Sequence, residues 1–184
     1  LRTHRTVPPD NASIIFEECI PNRKAAEILA HWDAIFSSSE VPAIFMCSVK
    51  GETQLDSVST NKGFSYDRDT FRSWIEVYHG DSEPLTGEKY SGPATTIMNR
   101  FVIGVIDSWR RMITQDCLDR GNEYFEQENY EGSVISYRKA YEINKEILST
   151  DELKKDFPFI TVNKLTEALE KLGRYTEKSE VHDE

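Results

Sequence analysis

Apolar residues recur at three- and four-residue steps along much of this chain and gather in short β-leaning runs near its middle. In NRKAAEILAHWDAIFSSS (22–39), Ala25, Ile28, Leu29, Trp32, Ile35 and Phe36 fall on one helical stripe. That spacing predicts a single amphipathic helix after Pro21-Asn22, ending in the serine run 37–39. Such a helix either packs against its own neighbours or forms a dimer seam, and it carries no heptad repeat. Before it, residues 1 to about 12 are expected to form an irregular arm, because Pro8-Pro9 blocks a helix.

The middle of the chain changes period. LDSVST (55–60) and FSY (64–66) flank Asn61-Lys62-Gly63, whose glycine tolerates positive φ, so a small hairpin is predicted. Asp67 is placed to cap a following helix and Asp69 to favour its dipole, with Phe71, Trp74, Ile75 and Tyr78 at helical spacing. HGDSEPLTGEKYSGP (79–93) reads as a loop. In NRFVIGVIDSWRRMI (99–113), Phe101, Val102, Val105, Ile106, Trp109 and Ile113 form a helical stripe that closes the unit. Beyond it, Gly121, Ser133 and Ala140 alternate with Tyr124, Phe125, Tyr130 and Tyr137, as a helical hairpin needs where two helices cross closely. A weaker copy begins in VNKLTEALEKLGRYTEKSE (162–180), with Gly173 and Tyr175 repeating the turn before Tyr130. Three segments are therefore expected: an arm and helix (1–38), an α+β domain (39–113) and a helical segment (114–184).

Charge narrows the function classes. With 22 basic against 32 acidic residues in 184, the net charge of −10 repels nucleic acid and anionic membrane surfaces, which leaves protein partners. Cys19, Cys47 and Cys117 are odd in number, widely spaced and without a CxxC pair, which points to reduced thiols in a cytoplasmic setting. Cys47 itself reads as a small buried hydrophobe. His4, His31, His79 and His182 are scattered without metal-ligand spacing, and no triad, phosphate loop or paired-carboxylate site stands out, so no metal, cofactor or covalent catalytic residue is expected. The start lacks the apolar stretch of a signal peptide, the terminal EKSEVHDE reads as a solvated end, and the sequence is expected to be a piece of a longer protein.

Residues 41–110 resemble a U-box, the zinc-free relative of the RING finger in ubiquitin ligases. The likeness rests on an ordered set: Val41-Pro42, Phe45-Met46-Cys47, Val49, Asp56, Val58, GFSYDR (63–68), Phe71, Trp74-Ile75, PLTG (84–87), Asn99-Arg100, Ile106 and Trp109. Zinc cannot organise a segment whose only Cys or His residues are Cys47 and His79. The resemblance therefore implies a network among Asp56, Ser59, Ser65, Tyr66 and Arg68 over an apolar core, complete in its hydrogen bonds. Ser48, Ser57 and Met98 stand where the family usually has proline, changes expected to loosen the loops. Residues 114–184 are similar to tetratricopeptide repeats, roughly 34-residue helical hairpins that bind proteins. Gly121, Tyr124, Tyr137 and Ala140 match, Ser133 replaces an alanine, and Lys145 replaces a terminating proline. Asn122 matches one member of that family's carboxylate clamp, but Leu118 stands where its lysine belongs.

The U-box resemblance implies a ligase that recruits a ubiquitin-conjugating enzyme carrying ubiquitin and promotes its transfer to a protein substrate. Val49, Trp74 and Pro84 would form the docking groove. For Val49 and Pro84 the other reading is loop packing; for Trp74 it is core beside Phe71 and Ile75. Gly87 occupies the place of a cation that activates the conjugate and has no side chain to donate, with Lys89 the nearest substitute. The alternative is a non-catalytic interaction scaffold. The flanking helices would hold substrate or a second copy of the chain.

Overall fold

The structure, a computed structural model, describes residues 4–7, 12–15, 21–78, 80–145 and 157–183. Among them are seven α-helices, a three-stranded antiparallel sheet and a two-stranded ribbon, a mixed α+β architecture. The chain divides into two compact units, Leu1–Ile106 and Asp107–Glu184. No described helix is long and apolar enough to cross a membrane.

The irregular arm expected at the N-terminus is instead a strand pair, β1 (His4–Val7) against β2 (Ala12–Ile15), in register from His4↔Ile15 to Val7↔Ala12. Prolines exclude a helix but not strands on either side of them, and Val7, Ile14 and Ile15 favour extended backbone. Cys19 lies outside the described residues.

The single helix expected over 22–39 is broken at His31 into α1 (Arg23–Ala30) and α2 (Trp32–Ser37). His31 takes φ −116° and ψ 19°, and its N–H is shared between the carbonyls of Glu27 and Ile28. Ile28 and Ile35, seven residues apart, are buried, whereas Leu29 and Trp32 stay 61% and 41% exposed. The apolar stripe is thus wider than the face that packs.

A 3-10 turn (Ala43–Phe45) then buries Phe45 and delivers Cys47 into the core. β3 (Ser57–Thr60) and β4 (Ser65–Asp67) form the hairpin the sequence predicts, in register Val58↔Tyr66. Gly63 is required twice over: its φ is +82°, and a Cβ there would stand 2.2 Å from the Pro21 carbonyl oxygen. Asp67 accepts from the Thr70 N–H at 3.4 Å and starts α3 (Arg68–Tyr78), with Asp69 in its first turn. Cys47, Val58, Tyr66 and Phe71 make the core, flanked by Phe64, Ile75, Tyr90 and Ala94. Each such side chain buried in full contributes about 1.5–3 kcal/mol, so this small cluster stabilises the unit only if its polar frame is complete. A third strand, β5 (Thr96–Met98), lies on the other edge of β3, with all three residues exposed.

The helix expected to close near Ile113 continues without a break as α4 (Arg100–Glu126). Val102, Val105, Ile106, Trp109 and Ile113 are buried as the stripe requires, while Phe101 remains 39% exposed. In the second unit α5 (Tyr130–Lys145) follows a tight turn, and α6 (Phe157–Lys171) packs on both α5 and α7 (Tyr175–Asp183). A Cβ on Gly121 would lie 2.3 Å from the Tyr137 ring, which shows how closely α4 and α5 approach. Ser133 and Ala140 are fully buried beside that crossing. The C-terminal end is helical through Asp183 and leaves Ser179 and Glu180 exposed, while Glu177 takes ion pairs from Arg138 and Arg174, each at 2.5 Å.

Candidate functional site

The first loop and α3 surround a cleft of about 350 Å³ in the first unit. Val49 supplies one wall from the first loop, and Thr70, Ser73, Trp74 and Tyr78 supply the other from α3. Lys50 and Asp69 stand at its rim. Val49 is 44% exposed at the tip of turn 48–50 and Trp74 is half-buried, so both present apolar surface to the cleft. Trp74 also packs on Tyr78, with ring centroids 5.2 Å apart. Pro84, half-buried in the second loop, is not among the described residues that line the cleft. His79 lies outside the described residues.

The first loop is shaped by the backbone and by a glutamine that sequence reasoning missed. The Cys47 N–H donates to Glu52 O at 2.7 Å, and the Gly51 N–H donates to Cys47 O at 2.7 Å. Gln54, fully buried, donates from Nε2 to Met46 O at 2.8 Å and accepts from Ser57 Oγ at 3.0 Å. Ser57 therefore does not loosen this loop; its hydroxyl fixes the glutamine that spans it. Lys50 and Glu52 pair at 2.5 Å in the open, an interaction of small worth.

The second loop turns on Glu83, which is fully buried. Its carboxylate accepts from Thr60 Oγ1 at 3.0 Å, from Tyr90 OH at 2.8 Å and from Tyr66 OH. Three hydroxyl donors on β3, β4 and the loop thus converge on one acceptor. Burial, and then the bond to Glu83, raises both tyrosines above the ordinary phenol range. Backbone bonds complete the loop: Glu83 N–H to Glu88 O at 2.8 Å, Gly87 N–H to Glu83 O at 2.8 Å and Tyr90 N–H to Asp81 O at 2.8 Å. The Trp74 Nε1–H donates to Ser82 O at 3.1 Å and joins this loop to the cleft helix. Gly87 has φ +68° in open space, and Lys89 pairs with Asp81 at 3.1 Å.

The network expected among Asp56, Ser59, Ser65, Tyr66 and Arg68 is divided among three centres. Arg68 holds Asp56 through two bonds of 2.6 and 3.0 Å at the surface. Ser59 and Ser65, 3.1 Å apart, meet the Asn99 amide nitrogen at 2.9 and 3.0 Å. Asn99 also caps α4 through the Val102 N–H and exchanges amide bonds with Asn22, the cap of α1. Tyr66 belongs to the Glu83 centre. Among the described residues one buried side-chain atom, Asn61 Oδ1, is without a partner, and it lies outside all three centres. Glu83 and Gln54 left no mark in the sequence, since both occur in polar runs that look solvated.

Cys47 is fully buried, and no described group of three or more His, Cys, Asp or Glu residues could hold a metal ion. The cleft offers apolar surface from Val49 and Trp74, with the cation Lys50 and the carboxylate Asp69 among its lining residues. Comparison of the chain with protein-family models, curated proteins and solved structures returned no match.

Proposed function

We propose that this chain is a ubiquitin-protein ligase of the U-box type, a transferase without a covalent catalytic residue. In this reading the first unit docks a ubiquitin-conjugating enzyme and the tetratricopeptide-like second unit binds protein. The observation that carries it is that Val49 and Trp74, far apart in sequence, line one cleft between the first loop and α3, with Trp74 also bonded to the second loop through Ser82 O. A conjugating enzyme would seat an apolar loop residue there, and the ligase would act by holding the thioester in a reactive pose. The first test is Val49→Arg. An unpaired charge desolvated at a docking centre costs several kcal/mol, so binding of the charged conjugating enzyme should be lost while circular dichroism is unchanged. Unaltered affinity refutes the assignment.

The scaffold reading draws on two observations: Gly87 offers no donor, and Lys89 is engaged by Asp81. Gly87→Arg would strain the loop by about 1–2 kcal/mol at a left-handed φ, so the readings separate better on the native chain. Single-turnover discharge of ubiquitin to free lysine supports the ligase. Normal docking with no discharge supports the scaffold.

A further inference from the structure

The second unit carries a larger groove, about 560 Å³, between α4 and α5. Its residues fall at helical spacing on two facing stripes: Cys117, Arg120 and Tyr124 on α4, and Gly132, Ile135 and Lys139 on α5. The two helices run antiparallel, so its ends differ. Near the turn, Tyr124 and Ile135 expose apolar surface, Ile135 at 70%. The Tyr124 ring lies about 3 Å from where a Gly132 Cβ would stand, so glycine keeps that end open. Toward the other end, Arg120 and Lys139 both act on the buried Cys117 thiol, whose ionisation burial nonetheless holds back.

The charges in this groove are unbalanced. Among the described residues neither cation has a carboxylate at ion-pair distance; Arg120 donates to the Asp116 carbonyl, at 3.3 Å, and to the Cys117 sulfur, neither of which neutralises its charge. Glu131, the acid in the groove, is drawn to Arg174 at 3.2 Å. In a chain of net charge −10, two adjacent cations without acidic partners beside an apolar shelf are complementary to an acidic ligand with one apolar side chain. Asn122 takes no part in the groove: its Oδ1 accepts from Tyr137 OH at 2.9 Å.

We propose that this groove binds a carboxylate-rich peptide segment of a partner protein, its acidic side chains on Arg120 and Lys139 and an apolar side chain on Tyr124 and Ile135. The inference does not rest on the ligase reading. The probe is a short fluorescein-labelled glutamate peptide with one central leucine, titrated by anisotropy against the full chain. A lysine-for-glutamate peptide and a phosphoserine-for-glutamate peptide run beside it. The native chain should bind the glutamate peptide, more weakly as salt rises, and should ignore the lysine peptide. The double variant Arg120→Gln, Lys139→Gln should bind about tenfold or more weakly, since charge-assisted hydrogen bonds are lost. Ile135→Ser should weaken binding several-fold, and Lys171→Gln, exposed on α6, should leave it unchanged. Helical circular dichroism verifies that each variant folds. No binding, equal binding of the lysine peptide, or indifference to the double variant overturns the proposal. Binding of the phosphoserine peptide alone overturns the carboxylate assignment. Self-association of the native chain that the double variant abolishes overturns the separate partner in favour of a second copy.

Discussion

The two units solve the problem of holding a binding surface in opposite ways. The first sets its cleft between a loop and α3, and because loop backbone groups have few regular partners, it fixes its loops and sheet with buried polar side chains: Gln54, Glu83 and Asn99. The second sets its groove between helices that satisfy their own backbones, and it needs only shape: Gly121 lets the Tyr137 ring approach, with Ser133 and Ala140 beside it. Loops need acceptors; helices need small residues. The first design fails abruptly when one centre is removed, because every donor aimed at it loses its partner together. The second should tolerate polar change and resist only added volume.

The largest expected effect follows from that contrast. Glu83→Ala strands three hydroxyls, two of them on fully buried Tyr66 and Thr60, and should destabilise the first unit by about 3–5 kcal/mol. Glu83→Gln, which keeps an acceptor, should cost clearly less. Amide hydrogen exchange resolves the two units: protection should fall across residues 57–67 and 81–90 and persist in α5 and α6. If Glu83→Ala leaves exchange in the second loop unchanged, the hub is not what holds it.

The helical unit was the more legible in the sequence, for the same reason. Periodicity reports which face of a helix is buried, and α4 obeys it along its length, from Val102, Val105 and Ile106 at the end of the first unit to Trp109 and Ile113 in the second. Gly121, Ser133 and Ala140 announce a close crossing because small residues have little other use at that spacing. Periodicity could not show that Leu29 and Trp32 stay exposed, since the break at His31 has no glycine or proline to mark it. Nor could it find β5, three exposed residues whose strand form depends on an edge of β3. Glu83 was hidden most completely. Its donors lie at positions 60, 66 and 90, and only the tertiary fold buries a carboxylate from such a polar run. Of the cleft, Val49 and Trp74 came from resemblance, and the polar residues that fix its loops came from neither pattern nor resemblance.

The next effect tests the other design. Gly121→Val places a branched side chain where the first added carbon already meets the Tyr137 ring at 2.3 Å, and it should destabilise the second unit by about 1–3 kcal/mol. Loss of helical circular dichroism at a lower temperature, with exchange at residues 57–67 unchanged, is the expected result. Equal melting of both units would break the comparison.

Alkaline pH gives the smallest and most graded effect, and it acts on both designs. Tyr66 and Tyr90 are raised above the ordinary phenol value by burial first and the bond to Glu83 second. Tyr137 is pushed up to about 12, by burial first and then by the charges of Glu167 and Glu126. For a phenol, a raised value means that the folded chain keeps a proton that the unfolded chain releases. Below the ordinary value of 10 both states hold it, and the full stability is present. Above that, the unfolded state binds fewer protons, so stability falls with pH, for Tyr137 between about 10 and about 12. Two such groups in the first unit against one in the second should make its phenol-linked loss per unit of pH twice as steep. Melting of each unit against pH, followed by hydrogen exchange with tyrosinate absorbance alongside, measures the two slopes. Lysines titrate in the same range, so the decisive comparison is Tyr90→Phe, which should halve the phenol part of the first slope and leave the second untouched. Tyrosinate absorbance near pH 10 that Tyr90→Phe removes from a chain that remains folded would show that the Glu83 centre is open to water, and the contrast between the units would lose its physical basis.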